Sequence, residues 1–241
     1  MLPPDKFELF ATPHLTTILV IVTVALMLPL AVRFLAPSAT RTVAYLLAAV
    51  LLLQEGIKAK LWVDILGWSP YLLPLDLCTL TVFLSAWMLV TRSRRLFEIA
   101  YFWGLGGTTQ ALLTPDLQES FPAVSYLLFF LGHGGIIVAL FFAMFVFGLR
   151  PYLDSIPRVI AITAAVAALA FAVNLAFGTN FMFLMAKPNQ PSLLDLFGPW
   201  PWYLIGLVAL SLLSFALLYL PFLTWDSIRS KKSLQKDAPR T

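Results

Sequence analysis

The stretch from Ala123 to Leu149, AVSYLLFFLGHGGIIVALFFAMFVFGL, runs 27 residues without an Asp, Glu, Lys or Arg. A helix needs about 20 consecutive apolar residues to cross the hydrocarbon core of a bilayer. This run exceeds that length and holds one side chain that can ionise near neutral pH, His133, near its middle. An uncharged segment of this length has no place on a soluble surface, so it reads as a membrane span.

Similar runs lie on both sides of it, at about 15–36, 41–56, 71–91, 96–114, 157–177 and 202–223. The second is short and is expected to continue, less apolar, through Gln54 and Glu55 to about Lys58. The pattern predicts an all-α polytopic membrane protein, a bundle of seven transmembrane helices over residues 1–225, followed by a basic tail over 226–241. Short connections suit consecutive antiparallel neighbours. The odd number argues against two simple inverted halves of the transporter kind.

Composition agrees. Of 241 residues, 60% are apolar without counting glycine and 12% are charged, against about 25% charged in ordinary soluble domains. One cysteine excludes an intrachain disulfide framework and a cysteine-based zinc site. No metal-ligand spacing and no glycine-rich phosphate loop occurs, so neither a metal nor another cofactor is expected. The leader before the first span carries Asp5, Lys6 and Glu8 instead of a basic cluster. The first span therefore reads as retained, not as a signal peptide.

The net charge of +4 suggests nucleic acid at first sight, but its distribution says otherwise. Arg33, Arg41, Arg92, Arg94, Arg95, Arg150, Arg158 and the tail residues Arg229, Lys231, Lys232, Lys236 and Arg240 all fall on one side of the predicted bundle. Lys6, Lys58, Lys60 and Lys187 fall on the other. Cytoplasmic loops carry the basic excess, which predicts an outer N-terminus and a cytoplasmic C-terminus. The expected partners are membrane lipids, with no nucleic acid; oligomeric state is not legible. Trp62, Trp68, Trp200 and Trp202 read as interfacial anchors.

Ionisable groups at membrane depth are costly and mark cavities or partners. Cys78 lies about seven residues into the third span, roughly 10 Å, and His133 ten residues into the fifth, roughly 15 Å, both from the outer side. A thiol becomes a nucleophile when a base takes its proton, so the two form a candidate catalytic pair. As packing residues they would be a small hydrophobe and a histidine satisfied by a carbonyl. Glu55, Gln110 and Asn174 fall toward the same side and are candidates for a polar pocket. Asp76, two residues before Cys78, faces differently if both are helical, and pairing with Lys58 is an alternative. Gly104 and Thr108 form a small-residue packing face. Glu98 reads as a solvated partner of Arg94 and Arg95, and His14 as interfacial, outside the first helix.

Several blocks together resemble a known family. They are Leu73–Leu80, Phe102–Gln110 continuing through Leu113-Thr114-Pro115-Asp116-Leu117, Gly132-His133-Gly134, Asn180–Leu184 through Lys187-Pro188, Ser192–Asp195 and Gly198-Pro199-Trp200-Pro201-Trp202. The chain resembles the bacterial YwaF-like integral membrane family, similar to eukaryotic transmembrane protein 164. The resemblance implies a bacterial plasma-membrane protein. It also implies an acyltransferase that moves a fatty acyl chain between phospholipids through a cysteine, or a related lipid hydrolase. Carried over, Cys78 is the nucleophile and His133 the general base; in an enzyme of that kind Gln110 or Asn174 is expected, from its position, to steady the oxyanion. Asp76 departs from the family pattern. The alternative is a non-catalytic transporter or lipid-binding protein in which Glu55, Asp76 and His133 line a pathway.

Overall fold

The computed structural model describes residues 6–188 and 193–236. Ser192 of one family-like block and Arg240 of the basic tail lie outside them, as do the side chains of Arg229, Lys231, Lys232 and Lys236. Among the described residues all regular structure is helical, apart from a single bridge between Lys6 and Glu119. Six segments among the described residues are long and apolar enough to cross a membrane: Thr12–Phe34, Pro37–Ile65, Pro70–Thr91, Val124–Phe145, Ser155–Phe177 and Tyr203–Asp226. This is a multi-pass membrane protein.

The helices are α1 (Thr12–Phe34), α2 (Thr40–Leu66), α3 (Leu77–Thr91), α4 (Arg94–Trp103), α5 (Thr109–Leu113), α6 (Val124–Phe145), α7 (Ser155–Phe177) and α8 (Tyr203–Lys236). The segment expected as a seventh plain span, 96–114, is instead broken. α4 is followed by a π-turn, Gly104–Thr108, and then by the short α5. Three glycines in that turn lower the helix propensity that would otherwise hold an α register. The start of α4 also carries Arg94, Arg95 and Glu98, charges that a lipid-facing helix would not tolerate. α8 continues from the last span into the basic tail as far as Lys236.

α6 is the most deeply buried of the six spans. Its glycines allow this. A Cβ on Gly134 would sit 2.7 Å from Ile21 of α1, and one on Gly135 would sit 2.9 Å from Leu51 of α2. Small residues let helices approach where lipid offers no hydrophobic drive. α1, α2, α3 and α4 surround α6, while α7 and α8 pack outside α4 and the π-turn. The broken segment is thus an inner element, with Phe97, Ala100, Phe102 and Trp103 buried, and it needs no continuous apolar surface of its own.

The arginines gather at one end of the bundle. Arg33 donates to the Phe145 carbonyl at 2.8 Å, and Arg92 lies 4.8 Å over the Phe147 ring. Arg150 meets Asp226 at 2.7 Å. The carboxylate of Glu98 is fully buried between Arg94, at 2.6 Å, and Arg158, which also holds Asp154. In place of the solvated Arg94–Arg95–Glu98 group expected from sequence, a buried Glu98 carboxylate is held by half-exposed arginines, with Arg158 taking the place of Arg95. Interhelical packing produces the difference, since α7 delivers Arg158 from 60 residues away.

Candidate functional site

Cys78 owes its setting to the way α3 begins. A 3-10 turn at Pro70–Leu72 and Pro74 hold the chain extended, and Asp76 is still extended (φ −80°, ψ 138°) when the helix starts at Leu77. Cys78 is therefore the second residue of α3. The rotational argument separating Asp76 from Cys78 does not apply, because Asp76 lies before the helix. Its carboxylate does not cap α3; it takes a long 3.5 Å contact from the Met182 amide. The amides of Leu77, Cys78 and Thr79 have no hydrogen-bond partner among the described residues. They are the unsatisfied donors that open every helix.

Residues from the π-turn and α2 stand near the thiol. Thr108, the last residue of the π-turn, faces the Cys78 sulfur. Lys58 of α2 donates to Thr79 Oγ1 at 3.4 Å and pairs with Glu55 at 2.6 Å. The expected alternative, pairing of Lys58 with Asp76, gives way to this closer partner one turn back on the same helix. Glu55 is buried and also accepts from Gln54 Nε2 at 3.2 Å. Gln54 packs on the α6 backbone at Gly132, where a Cβ would come within 3.0 Å of it.

His133 is half-buried. Its Nδ1 lies 2.8 Å from the Phe129 carbonyl, and its ring stacks on Phe129 at 4.1 Å. A carbonyl can only accept, so Nδ1 carries the proton and Nε2 presents a lone pair. No described residue bonds to that nitrogen. His133 and Cys78 make no direct hydrogen bond; the Lys58 ammonium lies within electrostatic range of both and of Asp76.

Asn174 and Gln110 are the other two expected pocket residues. Asn174 is buried, and its amide holds Thr179 Oγ1 at 2.8 Å, the Phe181 amide at 2.8 Å and the Phe181 carbonyl at 3.1 Å. It builds the turn after α7 that reaches Tyr71 and Asp76. Gln110 is exposed, and its carbonyl receives Thr114. Among the described residues no three His, Cys, Asp or Glu side chains gather as metal ligands. An open groove of about 750 Å³ lies at the arginine-rich end between Tyr152, Pro157 and Tyr219, away from Cys78.

A model of the TMEM164 family matches residues 9–219, most of the chain, with Cys78, His133 and the elements around them inside the match. The chain belongs to the TMEM164 family. No curated protein and no solved structure matches it. In this TMEM164 member, sequence reasoning names Cys78, His133 and Glu55 as candidates but reads Thr108 as packing alone and leaves Lys58 as a neighbour of Asp76. The run of glycines before Thr108 is the available signal, since it weakens the helix where the π-turn forms.

Sequence reasoning also misplaces His14. Pro13 starts α1 early, as proline does in a first turn, and draws His14 into the bundle. Its Nδ1 accepts from the Phe10 amide at 3.0 Å, so Nε2 donates to the Leu112 carbonyl at 2.9 Å. Phe7, Phe10 and Phe130 enclose the ring.

Proposed function

We propose that this protein is an intramembrane lipid acyltransferase or lipid hydrolase acting on phospholipid acyl esters, with Cys78 as nucleophile and His133 as base. The observation that carries the reading is the placement of the single cysteine at the second position of a helix whose first amides are unengaged. An ester carbonyl attacked by that sulfur would develop its negative charge beside those donors, where backbone N–H groups stabilise an oxyanion. The dipole at a helix N-terminus favours a thiolate in the same place.

In the first half-reaction His133 Nε2 takes the thiol proton, the sulfur bonds to the acyl carbon, and the ester C–O bond breaks. The proton passes from His133 to the departing lysophospholipid oxygen. A second hydroxyl, of another lysophospholipid or of water, then attacks the thioester and regenerates the thiol. Catalytic hydrogen bonds commonly tighten only with substrate in place, so the unbonded Cys78 and His133 are compatible with this route.

The membrane setting proposed is a bacterial plasma membrane, with membrane lipids as partners. The arginine-rich end faces the cytoplasm by the distribution of basic residues, and the N-terminus lies outside. α4, the π-turn and α5 together make a seventh crossing. Arg94 at their start belongs to the arginine-rich end, and Leu112 near their finish meets His14 at the start of α1, the other end. Cys78 then lies toward the outer leaflet.

The test is acyl exchange in proteoliposomes with a labelled diacyl phospholipid and a lysophospholipid. Cys78→Ala is expected to reduce label transfer to the liposome background. His133→Ala is expected to lower it by about 10²–10⁴-fold, the range of general-base catalysis. Equal signals from wild type and both variants overturn the reading. They would favour a lipid-binding or transport role, for which the closed Glu55–Lys58 pair, with Lys58 within electrostatic range of His133, is the supporting observation.

A further inference from the structure

Threonine hydroxyls inside helices usually turn back onto the carbonyl four residues earlier. Thr17, Thr81, Thr91, Thr114 and Thr163 all do so, at 2.6–3.1 Å. Thr108 does not. It is completely buried, and its Oγ1 makes no hydrogen bond of ordinary geometry to any described residue. Leaving a buried hydroxyl unpaired costs about 1–3 kcal/mol, so its orientation calls for a cause.

The π-turn supplies the geometry. A π-turn adds one residue to the helical register, which rotates the downstream residues by about 100° relative to a continuous α-helix. That displaces the carbonyl a helical threonine would have used. α3 and α4 run antiparallel, and their register is marked by Gly104, where a Cβ would lie 3.5 Å from Thr81 Cγ2. Moving four residues along from Gly104 and three back from Thr81 brings Thr108 opposite Cys78. The hydroxyl faces the sulfur there.

We propose that Thr108 is the hydrogen-bond donor to the Cys78 sulfur, holding the charge of the thiolate when the site reacts. The inference rests on the cysteine reading above and adds a residue that contacts the reacting atom. A thiolate accepts a hydrogen bond that a neutral thiol takes poorly, so the hydroxyl gains its partner only when the sulfur is charged. The unpaired state is thus the resting one.

Cys78 is the chain's single cysteine, so alkylation by a membrane-permeant maleimide reports on it alone. The experiment compares alkylation rates of the full-length protein in liposomes for wild type, Thr108→Val, Thr108→Ser and Ser85→Ala. Ser85 is, among the described residues, the other buried hydroxyl without a partner and lies two helical turns, about 10 Å, deeper along α3. Thr108→Val, equal in shape, is expected to slow alkylation about tenfold or more, the equivalent of one hydrogen bond to a charged group. Thr108→Ser retains the donor and should stay within about twofold of wild type; Ser85→Ala should not change the rate.

A wild-type rate in Thr108→Val overturns the proposal. So does equal slowing in Thr108→Ser, which would mark a packing effect, and so does a thiol that is inert in the wild type. Label transfer from phospholipid is measured in parallel. Alkylation that depends on Thr108 without transfer removes the acyl-transfer reading and leaves the contact standing. Transfer that survives Thr108→Val at full rate removes the Thr108 role and leaves the reaction standing.

Discussion

His14 and His133 occupy opposite kinds of surroundings in the same bundle. Around His14 both ring nitrogens are engaged, three phenylalanines close the faces, and the ring joins the N-terminal segment to the end of α5. Around His133 one nitrogen is fixed by the helix's own carbonyl and the other is left open. The buried Glu98 network resembles the first case, with both carboxylate oxygens held by arginines. The Cys78 region resembles the second, with free amides and an unpaired Thr108 hydroxyl. Polar groups that are fully paired hold the fold together, whereas unpaired ones store donors and acceptors for a ligand.

This contrast can be broken by stability measurements. His14→Ala removes one buried and one partly buried hydrogen bond and a ring packed on three others. It should cost about 3 kcal/mol and lower the melting temperature by about 6–12 °C for a chain of this size. A melting curve unchanged from wild type would remove the structural role given to that histidine. His133→Ala should shift the melting far less while removing transfer activity. A larger thermal loss at His133 than at His14 would reverse the comparison.

Glu98→Ala comes next. Its carboxylate is buried, but Arg94 and Arg158 keep more than a third of their side chains in contact with surroundings outside the protein. They can be rehydrated when the carboxylate is lost, so the cost should fall below that of a fully buried pair, about 2 kcal/mol. Melting should drop by about 4–8 °C, with acyl transfer retained at temperatures where the variant is folded. Loss of transfer in a folded Glu98→Ala would tie the arginine-rich end to the reaction. The smallest effect belongs to Lys60→Ala. Its pair with Asp64 is exposed on both sides, and such a helix pair contributes no more than about 0.5 kcal/mol. A loss above about 1 kcal/mol would show that the exposed end of α2 is also part of the framework.

The class of the protein was legible in its residues alone. Uncharged runs long enough to cross a bilayer settle an α-helical membrane protein, because no other fold satisfies the backbone in lipid with such segments. Cys78 and His133 stood out for the same reason, since ionisable groups are conspicuous against an apolar background. So did the side on which the arginines gather, which the contacts of Arg33, Arg92, Arg150 and Arg158 bear out as one end of the bundle.

The remaining features came from packing. Hydropathy averages over a window, so it reads 96–114 as one span and passes over the π-turn that aims Thr108 at the sulfur. Helical periodicity assumes Asp76 to be inside α3, and only the extended backbone after Pro74 puts it outside. Partner choice was equally out of reach. Lys58 takes Glu55 over Asp76, Glu98 takes Arg158 over Arg95, and Asn174 serves a turn, because hydrogen bonds depend on ångström distances between elements far apart in the chain. Local pattern fixes which segments enter the membrane; the packing of those segments fixes which polar groups are paired and which are left open to react.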